Sequence, residues 1–262
     1  MNKLVTLMYH SIYATAAEYE AIRDEDRPYA VHVDDFKRHL QWMSEEGFSI
    51  VNPMNPGEAI DRNRTSILIT FDDGHVGFYR YAYPLLAEYD WSAIFFVTTD
   101  LVEERPEFCT WEQLREMSRN NMSLQSHGKT HEFLDDMPDN EIARELACSK
   151  KAIEENTASR VWSVSFPGGR YNRNTLRVAQ ENGYSGFFTS VPRCNRPEAF
   201  PDGLINRFAI KNSTTASDIA MFIDPGLVQG LKQSLFFAVK SGLRKVLGNH
   251  RYHALYKFVS KG

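Results

Sequence analysis

The sequence predicts an α/β fold built on a parallel sheet, and two observations support this prediction. Short apolar runs typical of buried strands, such as residues 67–69 (ILI) and 94–97 (IFFV), recur along the chain. Amphipathic segments of helical period lie between them; residues 33–46, for example, carry three large apolar side chains at helical spacing. Strands that alternate with helices in this way favour βαβ units, whose strands run parallel.

Each element follows from the same patterns taken in chain order. The predicted strands are residues 4–9, 67–69, 92–98, 122–125, 161–166, 185–189 and 204–210. The predicted helices are residues 33–46, 78–89, 111–119, 139–156 and 174–181, with Pro84 expected to bend the second of them. Residues 13–30 are acidic and show little periodicity, so they are expected to form a loop.

Composition predicts one globular body with a chemically distinct tail. A chain of 262 residues can bury a single core, and its hydrophobic fraction of 42% includes no apolar run of 18 residues. The first ten residues lack the features of a secretory leader, and the three cysteines are widely spaced. These features predict a reduced, cytoplasmic protein. We assign residues 1–224 to the body and residues 225–262 to the tail.

The tail reverses the charge of the body. Residues 225–262 contain seven basic and no acidic residues, whereas residues 1–224 carry a net charge of −11. Apolar residues recur at helical spacing from Leu227 to Val246, which predicts a basic amphipathic helix. Such a helix can lie on an anionic membrane or pack on the body as an ordinary terminal helix, and the pattern leaves both interpretations open.

Two clusters of chemically active residues follow predicted strands. Asp72 and Asp73 lie just after the strand predicted at residues 67–69, within the motif TFDDG. His127 and His131 follow the strand predicted at residues 122–125, within the motif SHGKTH. At the carboxyl ends of parallel strands such residues meet on one rim. In a pair of adjacent aspartates without other polar partners, one aspartate more often caps a helix while the other is exposed to solvent. With two histidines added, a carboxylate and two imidazoles can bind Zn²⁺ or a related ion that activates water.

These motifs resemble those of the polysaccharide deacetylase family, also called the NodB homology domain or carbohydrate esterase family 4. The resemblance covers roughly residues 3–210 and includes a third motif, altered here, at residues 166–169 (FPGG). It implies an irregular (β/α)7 barrel, which periodicity alone does not give. The permuted subgroup that resembles poly-N-acetylglucosamine de-N-acetylases matches best, because an N-terminal Tyr-His pair is present at Tyr9 and His10.

The resemblance also implies roles for individual residues. Asp73, His127 and His131 are expected to bind the metal, with Zn²⁺ as the expected ion and Co²⁺ or Ni²⁺ as alternatives. Asp72 is expected to be the general base and His10 the general acid. The backbone N–H of Gly168 is expected to stabilise the oxyanion. Pro167, Arg170 and Tyr171 are the expected substrate contacts.

One departure from the family pattern concerns the arginine that holds the base carboxylate. The family's third motif often has this arginine two residues before its proline, where this chain has Ser165. Arg170 is one candidate to replace it, and loss of the role is the other interpretation. His75, beside the Asp pair, is expected to line the rim rather than to bind the metal.

The predicted function is metal-dependent removal of N-acetyl or other acyl groups from a sugar of a bacterial surface polysaccharide or its lipid-linked precursor. Two alternatives remain: a catalytically weak relative that binds carbohydrate, and an amidase acting on a non-sugar C–N bond. The predicted partners are therefore an acylated sugar and, through residues 226–262, a membrane surface. Nucleic acid is excluded as a partner, because the body is acidic and has no reader motif.

Overall fold

The computed structural model describes residues 3–54, 60, 64–157 and 159–223. The strands are β1 (Leu4–Tyr9), β2 (Ile12–Tyr13), β3 (Val31–His32), β4 (Ser49–Ile50), β5 (Ser66–Phe71), β6 (Ile94–Val97), β7 (Ser123–Ser126), β8 (Ser163–Ser165), β9 (Gly186–Phe188), β10 (Gly203–Ile205) and β11 (Phe208–Ala209). The α-helices are α1 (Ala16–Ala21), α2 (Val33–Glu45), α3 (Tyr83–Glu88), α4 (Trp111–Arg119), α5 (Asp139–Thr157), α6 (Arg173–Glu181) and α7 (Ala216–Ile223).

The main sheet is parallel and curls into an irregular barrel. Its strand order is β10-β9-β8-β7-β6-β5-β1-β11, with β4 also paired to β5, while β2 and β3 form a separate pair. The two ends of this order, β10 and β11, are separated by only two residues, so the sheet must curve round to bring its ends together. The predicted α/β barrel is confirmed.

Successive residues of the central strands pack on opposite sides of the sheet. In β5, Ile67 and Ile69 belong to the large cluster that includes the residues of the surrounding helices. Leu68 faces the other way and packs with Leu4, Ile94, Phe96 and others in a smaller cluster. All of these side chains are fully buried. A strand covered on both faces must be continuously apolar, which is the pattern that the sequence shows.

The strand ends bring the predicted site residues to one edge. His10 follows β1, Asp72 and Asp73 follow β5, and His127 follows β7, with parallel pairing from β1 through β5 and β6 to β7. Parallel strands present their carboxyl ends on the same side of a sheet. The sheet therefore gathers residues that are far apart in the chain.

Three predicted elements differ from the structure. The loop at residues 13–30 contains α1, whose first turn is closed by a capping box between Thr15 and Glu18. The helix predicted over 78–89 is a π-helical turn (Phe78–Ala82) followed by α3, and Pro84 occupies the first turn of α3, where proline is tolerated. The strand predicted over 204–210 is interrupted between β10 and β11.

The predicted amphipathic tail at residues 225–262 lies outside the described residues. Among the helices that the structure does describe, none combines the length and the apolar character needed to cross a bilayer.

Candidate metal and catalytic site

Three predicted ligands converge on one point. The Nε2 atoms of His127 and His131 each lie 3.2 Å from Oδ1 of Asp73. One donor atom from each of the three residues can be chosen so that all lie within 4.8 Å of one another. Burial alone would raise the pKa of the Asp73 carboxyl, but the two imidazoles outweigh it and hold that pKa well below its ordinary value.

Two of these three residues have unusual backbone conformations. Asp73 has a φ of 83° and His131 a φ of 68°, in the left-handed region that residues other than glycine rarely adopt. Such a conformation costs about 1–3 kcal/mol and persists where the surrounding structure enforces it. Strained residues of this kind concentrate at functional sites, which fits the placement of two candidate ligands here.

The orientation of His127 is fixed by a hydrogen bond from its other ring nitrogen. Its Nδ1 lies 2.7 Å from the backbone oxygen of Ser165, which can only accept, so Nδ1 carries the proton. Its Nε2, which faces Asp73, is then the nitrogen available to a metal. A metal-binding histidine ordinarily has its second nitrogen anchored in this way.

A buried glutamate shapes the loop between the two histidines. Oε2 of Glu145, on α5, accepts hydrogen bonds from the backbone N–H groups of Lys129 and Thr130, both at 2.9 Å. The same loop is tied to the segment after β6, because the N–H groups of Thr99 and Asp100 donate to its carbonyls. These contacts fix the backbone on which His127 and His131 are displayed.

Asp72 is held by an arginine that the sequence analysis missed. The two Nη atoms of the fully buried Arg207 each lie 2.7 Å from a different oxygen of Asp72, and the hydroxyl of Ser165 donates to Oδ2 at 2.9 Å. Burial raises the pKa of Asp72. The charge of Arg207 and, to a smaller extent, that of His127 lower this pKa by more than burial raises it, so the pKa lies below its ordinary value. Asp72 is therefore ionised at neutral pH.

This geometry settles the question left open by Ser165. Arg170 does not reach Asp72; its guanidinium pairs with Asp135 and Asp136. The carboxylate of Asp72 is nevertheless held by an arginine, Arg207, which lies between β10 and β11. The hydroxyl of Ser165 donates to the same carboxylate. No local motif marks Arg207; the only signal was the polar pair Asn206 and Arg207 inside a predicted strand whose other residues are apolar.

His10 directly follows β1 and lies near Asp72 and Asp73. Its charge helps to lower the pKa values of both Asp72 and Asp73, and its ring centroid is 5.1 Å from that of Tyr29. Its Nδ1 is a buried atom without a hydrogen-bond partner. An imidazole with a free nitrogen beside the carboxylates can donate or accept a proton there.

The third motif forms a tight turn beyond β8. Pro167 is buried, and Gly168 is exposed with a φ of 62°. A Cβ on Gly168 would lie 2.7 Å from the ring of Phe133, so the position requires glycine on both counts. Tyr171 is half-buried, and its ring stacks on Phe166 with 5.5 Å between centroids.

A cleft is lined by two of the three candidate ligands. It is lined by Asp73 and His131 together with Arg23, Asp26 and Arg105. His75 also lines it, and burial lowers the pKa of His75 to about 4, so this side chain is neutral near pH 7. His75 is not one of the three clustered ligands, in line with its expected place on the rim.

Comparison with known proteins finds similarity to a known family. The sequence profile of the polysaccharide deacetylase family matches residues 59–187. The Bacillus subtilis (strain 168) protein YxkH, assigned as a polysaccharide deacetylase, is 30% identical over 194 residues, which cover 72% of this chain and 65% of that protein. Residues 59–187 therefore carry the sequence profile of the polysaccharide deacetylase family.

Two further relatives of the family are informative. The poly-beta-1,6-N-acetyl-D-glucosamine N-deacetylase of Escherichia coli (strain K12) is 26% identical over 145 residues, or 48% of this chain and 20% of that enzyme. The structure of Streptococcus pyogenes deacetylase PplD in complex with acetate superposes with a TM-score of 0.73 at 27% identity, covering 85% of this chain and 99% of PplD. The chain spans less than two thirds of the length of the two sequence relatives.

The residues present fit the metal that the family implies. Oδ1 of Asp73 is buried without a hydrogen-bond partner, although two imidazole nitrogens lie within 3.2 Å of it. An orphaned carboxylate oxygen between two imidazoles is a donor arrangement that suits Zn²⁺ or a neighbouring transition ion. Three protein ligands also leave positions open for water and substrate, as a catalytic site requires.

Proposed function

We propose that this chain is a metal-dependent hydrolase that removes N-acetyl groups from a sugar polymer of the bacterial surface or its lipid-linked precursor. The observation that carries the proposal is the convergence of Asp73, His127 and His131 beside an ionised Asp72. Zn²⁺ is the proposed ion, with Co²⁺ or Ni²⁺ as alternatives of similar ligand preference. Bound there, the ion would polarise the acyl carbonyl and increase the acidity of water.

The protein's own residues supply the remaining steps. Asp72, held ionised by Arg207, is proposed to take a proton from the attacking water. The backbone N–H of Gly168 is proposed to donate to the oxyanion as the carbonyl becomes tetrahedral. His10 is proposed to give a proton to the departing amine, since expulsion of an unprotonated amine is unfavourable. Pro167 and Tyr171 are proposed to contact the substrate.

The relatives support an N-acetylated substrate. One sequence relative carries the name of a poly-N-acetylglucosamine deacetylase, and the structure of PplD was obtained in complex with acetate, the product of deacetylation. Oligomers of N-acetylglucosamine are therefore the first substrates to test.

The experiment measures acetate release from N-acetylglucosamine oligomers together with metal content. We expect release by the wild-type chain and a fall of about 10²–10⁴-fold in Asp72→Asn, because the amide cannot accept the proton. Metal content is expected to be unchanged, since Asp72 is not one of the three ligands. Bound metal without turnover of any acylated sugar would instead favour a carbohydrate-binding protein, and turnover of non-sugar amides alone would favour the amidase.

A further inference from the structure

Two loops of the site are joined by an ion cluster around the buried side chain of Arg170. Its side chain is only 5% exposed, and one Nη lies 2.7 Å from Oδ1 of Asp135 and 2.6 Å from Oδ2 of Asp136. Its Nε also donates to Asp135, at 3.2 Å. Arg170 follows the turn that contains Gly168, whereas the two acids follow His131 by a few residues. The cluster therefore links the third motif to the second.

The ring of Phe133 lies between these two loops. The guanidinium carbon of Arg170 is 4.2 Å from the centre of this ring. The backbone of Gly168 approaches the same ring so closely that an added Cβ would lie 2.7 Å from Cε1. The guanidinium and the Gly168 peptide thus share one aromatic surface, and the position of either one constrains the other.

The Nε and one Nη of Arg170 face Asp135, and the same Nη contacts Asp136, whereas the other Nη is a buried atom without a hydrogen-bond partner. A guanidinium that meets two carboxylates through its planar fork is strongly oriented, and a lysine cannot reproduce this geometry. From the sequence, Arg170 is expected to contact substrate. That interpretation requires substrate to reach a guanidinium that is buried and already paired with two carboxylates.

We propose that Arg170 is a positioning residue, which holds the turn at Gly168 in register with the loop of His131. The proposal rests on the proposed function, because the group it positions is the N–H that faces the oxyanion. This N–H acts on charge that develops only in the transition state. Loosening the turn therefore lowers kcat and leaves substrate affinity largely intact.

The experiment compares Arg170→Met with Arg177→Met in the full chain loaded with Zn²⁺. Arg177 is an exposed arginine on α6 that also pairs with two acids, Asp139 and Glu181, so it controls for loss of one positive charge nearby. For Arg170→Met we expect kcat on N-acetylglucosamine oligomers to fall about 10²-fold, with KM within about twofold of wild type. Zinc content is expected to match wild type in both variants, and Arg177→Met is expected to keep both kinetic constants.

A second readout does not depend on turnover. Hydrogen exchange of the peptide containing residues 166–172 is expected to be faster in Arg170→Met and unchanged in Arg177→Met, because only the first change releases the turn. If Arg170→Met fails to fold, Asp136→Asn replaces it, since it weakens the same cluster while keeping the side chain's shape. The expected result is then a smaller fall in kcat with the same KM.

The outcomes separate the two proposals. Acetate release by wild type together with a raised KM and unchanged kcat in Arg170→Met would make Arg170 a substrate contact and overturn the positioning role. Unchanged kcat, KM and exchange would overturn it as well. Absence of release by the zinc-loaded wild type from every acetylated sugar would instead remove the proposed function, and the positioning role with it.

Discussion

At the scale of single residues, Arg207 explains how the buried carboxyl of Asp72 remains ionised. Asp72 is almost fully inaccessible to water, and burial by itself favours its protonated form. Arg207 reverses this preference by binding both oxygens, and it is oriented by further bonds to the carbonyl of Thr189 and the hydroxyl of Thr70. The pair is thus one unit, and removing either partner leaves an uncompensated buried charge.

Replacing Arg207 by methionine tests this unit. The change is expected to lower the free energy of unfolding by about 3–5 kcal/mol, because the Asp72 carboxylate loses its partner in the interior. Without Arg207, burial raises the pKa of Asp72, so the acidic limb of kcat/KM is expected to move to higher pH. Denaturant titration and a pH profile measure these effects, with Arg177→Met as the exposed control. An acidic limb that stays in place would contradict the role given to Arg207.

Replacing His10 by alanine tests the proposed general acid. Turnover of N-acetylglucosamine oligomers is expected to fall by about 10²-fold or more, because the amine must then leave without a positioned proton donor. Metal content is expected to stay at the wild-type level, since His10 is not one of the three clustered ligands. Steady-state kinetics and metal analysis check this prediction. Wild-type turnover in the variant would remove His10 from the mechanism.

The sequence predicts some of these residues better than others for a physical reason. Asp72 and Asp73 directly follow the apolar strand β5, and His127 directly follows the short buried strand β7, so the strand pattern places all three on the rim. Arg207 acts over 135 residues of sequence separation from Asp72, and its position depends on how the last two strands close the sheet. No local pattern encodes that closure, and only the three-dimensional structure shows the contact.

At the scale of elements, the loop between the two histidines depends on helix α5. Glu145 projects from this helix and accepts two backbone N–H groups of the loop, although the helix was predicted only from its apolar periodicity. The capping box that begins α1 was also missed, because residues 13–30 were judged by periodicity and α1 buries none of its residues. A helix without a buried apolar face cannot be predicted from the spacing of hydrophobic residues.

Replacing Glu145 by alanine tests whether Glu145 fixes the loop between His127 and His131. The N–H groups of Lys129 and Thr130 would lose their acceptor, and we expect metal affinity to weaken by about 10–100-fold, as for other residues that support metal ligands. Glu145→Gln keeps an acceptor oxygen, so a smaller loss is expected. The matched control is Glu141→Ala, an exposed glutamate one turn earlier on α5. Titration with Zn²⁺ measures the affinities, and equal values in all four proteins would contradict the role of Glu145.

At the scale of the whole molecule, the curvature of the sheet is what brings the residues of the site together. Curling of the sheet brings Arg207, between β10 and β11, to Asp72 at the end of β5. Periodicity predicted the alternation of strands and helices but not the closure, which came from the family resemblance. The local sequence pattern of a parallel strand is the same in an open sheet and in a barrel. The pairing of strands that are distant in sequence determines which of the two architectures forms.

Removal of residues 225–262 tests the predicted division into a body and a basic tail. A chain ending at residue 224 is expected to keep its Zn²⁺ affinity and its turnover of short soluble oligomers, because every residue of the proposed site lies before that point. Only the full chain is expected to float with vesicles containing anionic lipid, since the tail carries seven basic residues and no acidic ones. Failure of both proteins to float would reject the membrane interpretation.

The most direct test of the central claim is acetate release from N-acetylglucosamine oligomers before and after complete removal of the metal. The account predicts that chelation abolishes release, that one equivalent of Zn²⁺ per chain restores it, and that Asp73→Ala with His127→Ala prevents the restoration. Undiminished release from a chain shown to contain no metal would contradict the claim that Asp73, His127 and His131 form a catalytic metal site.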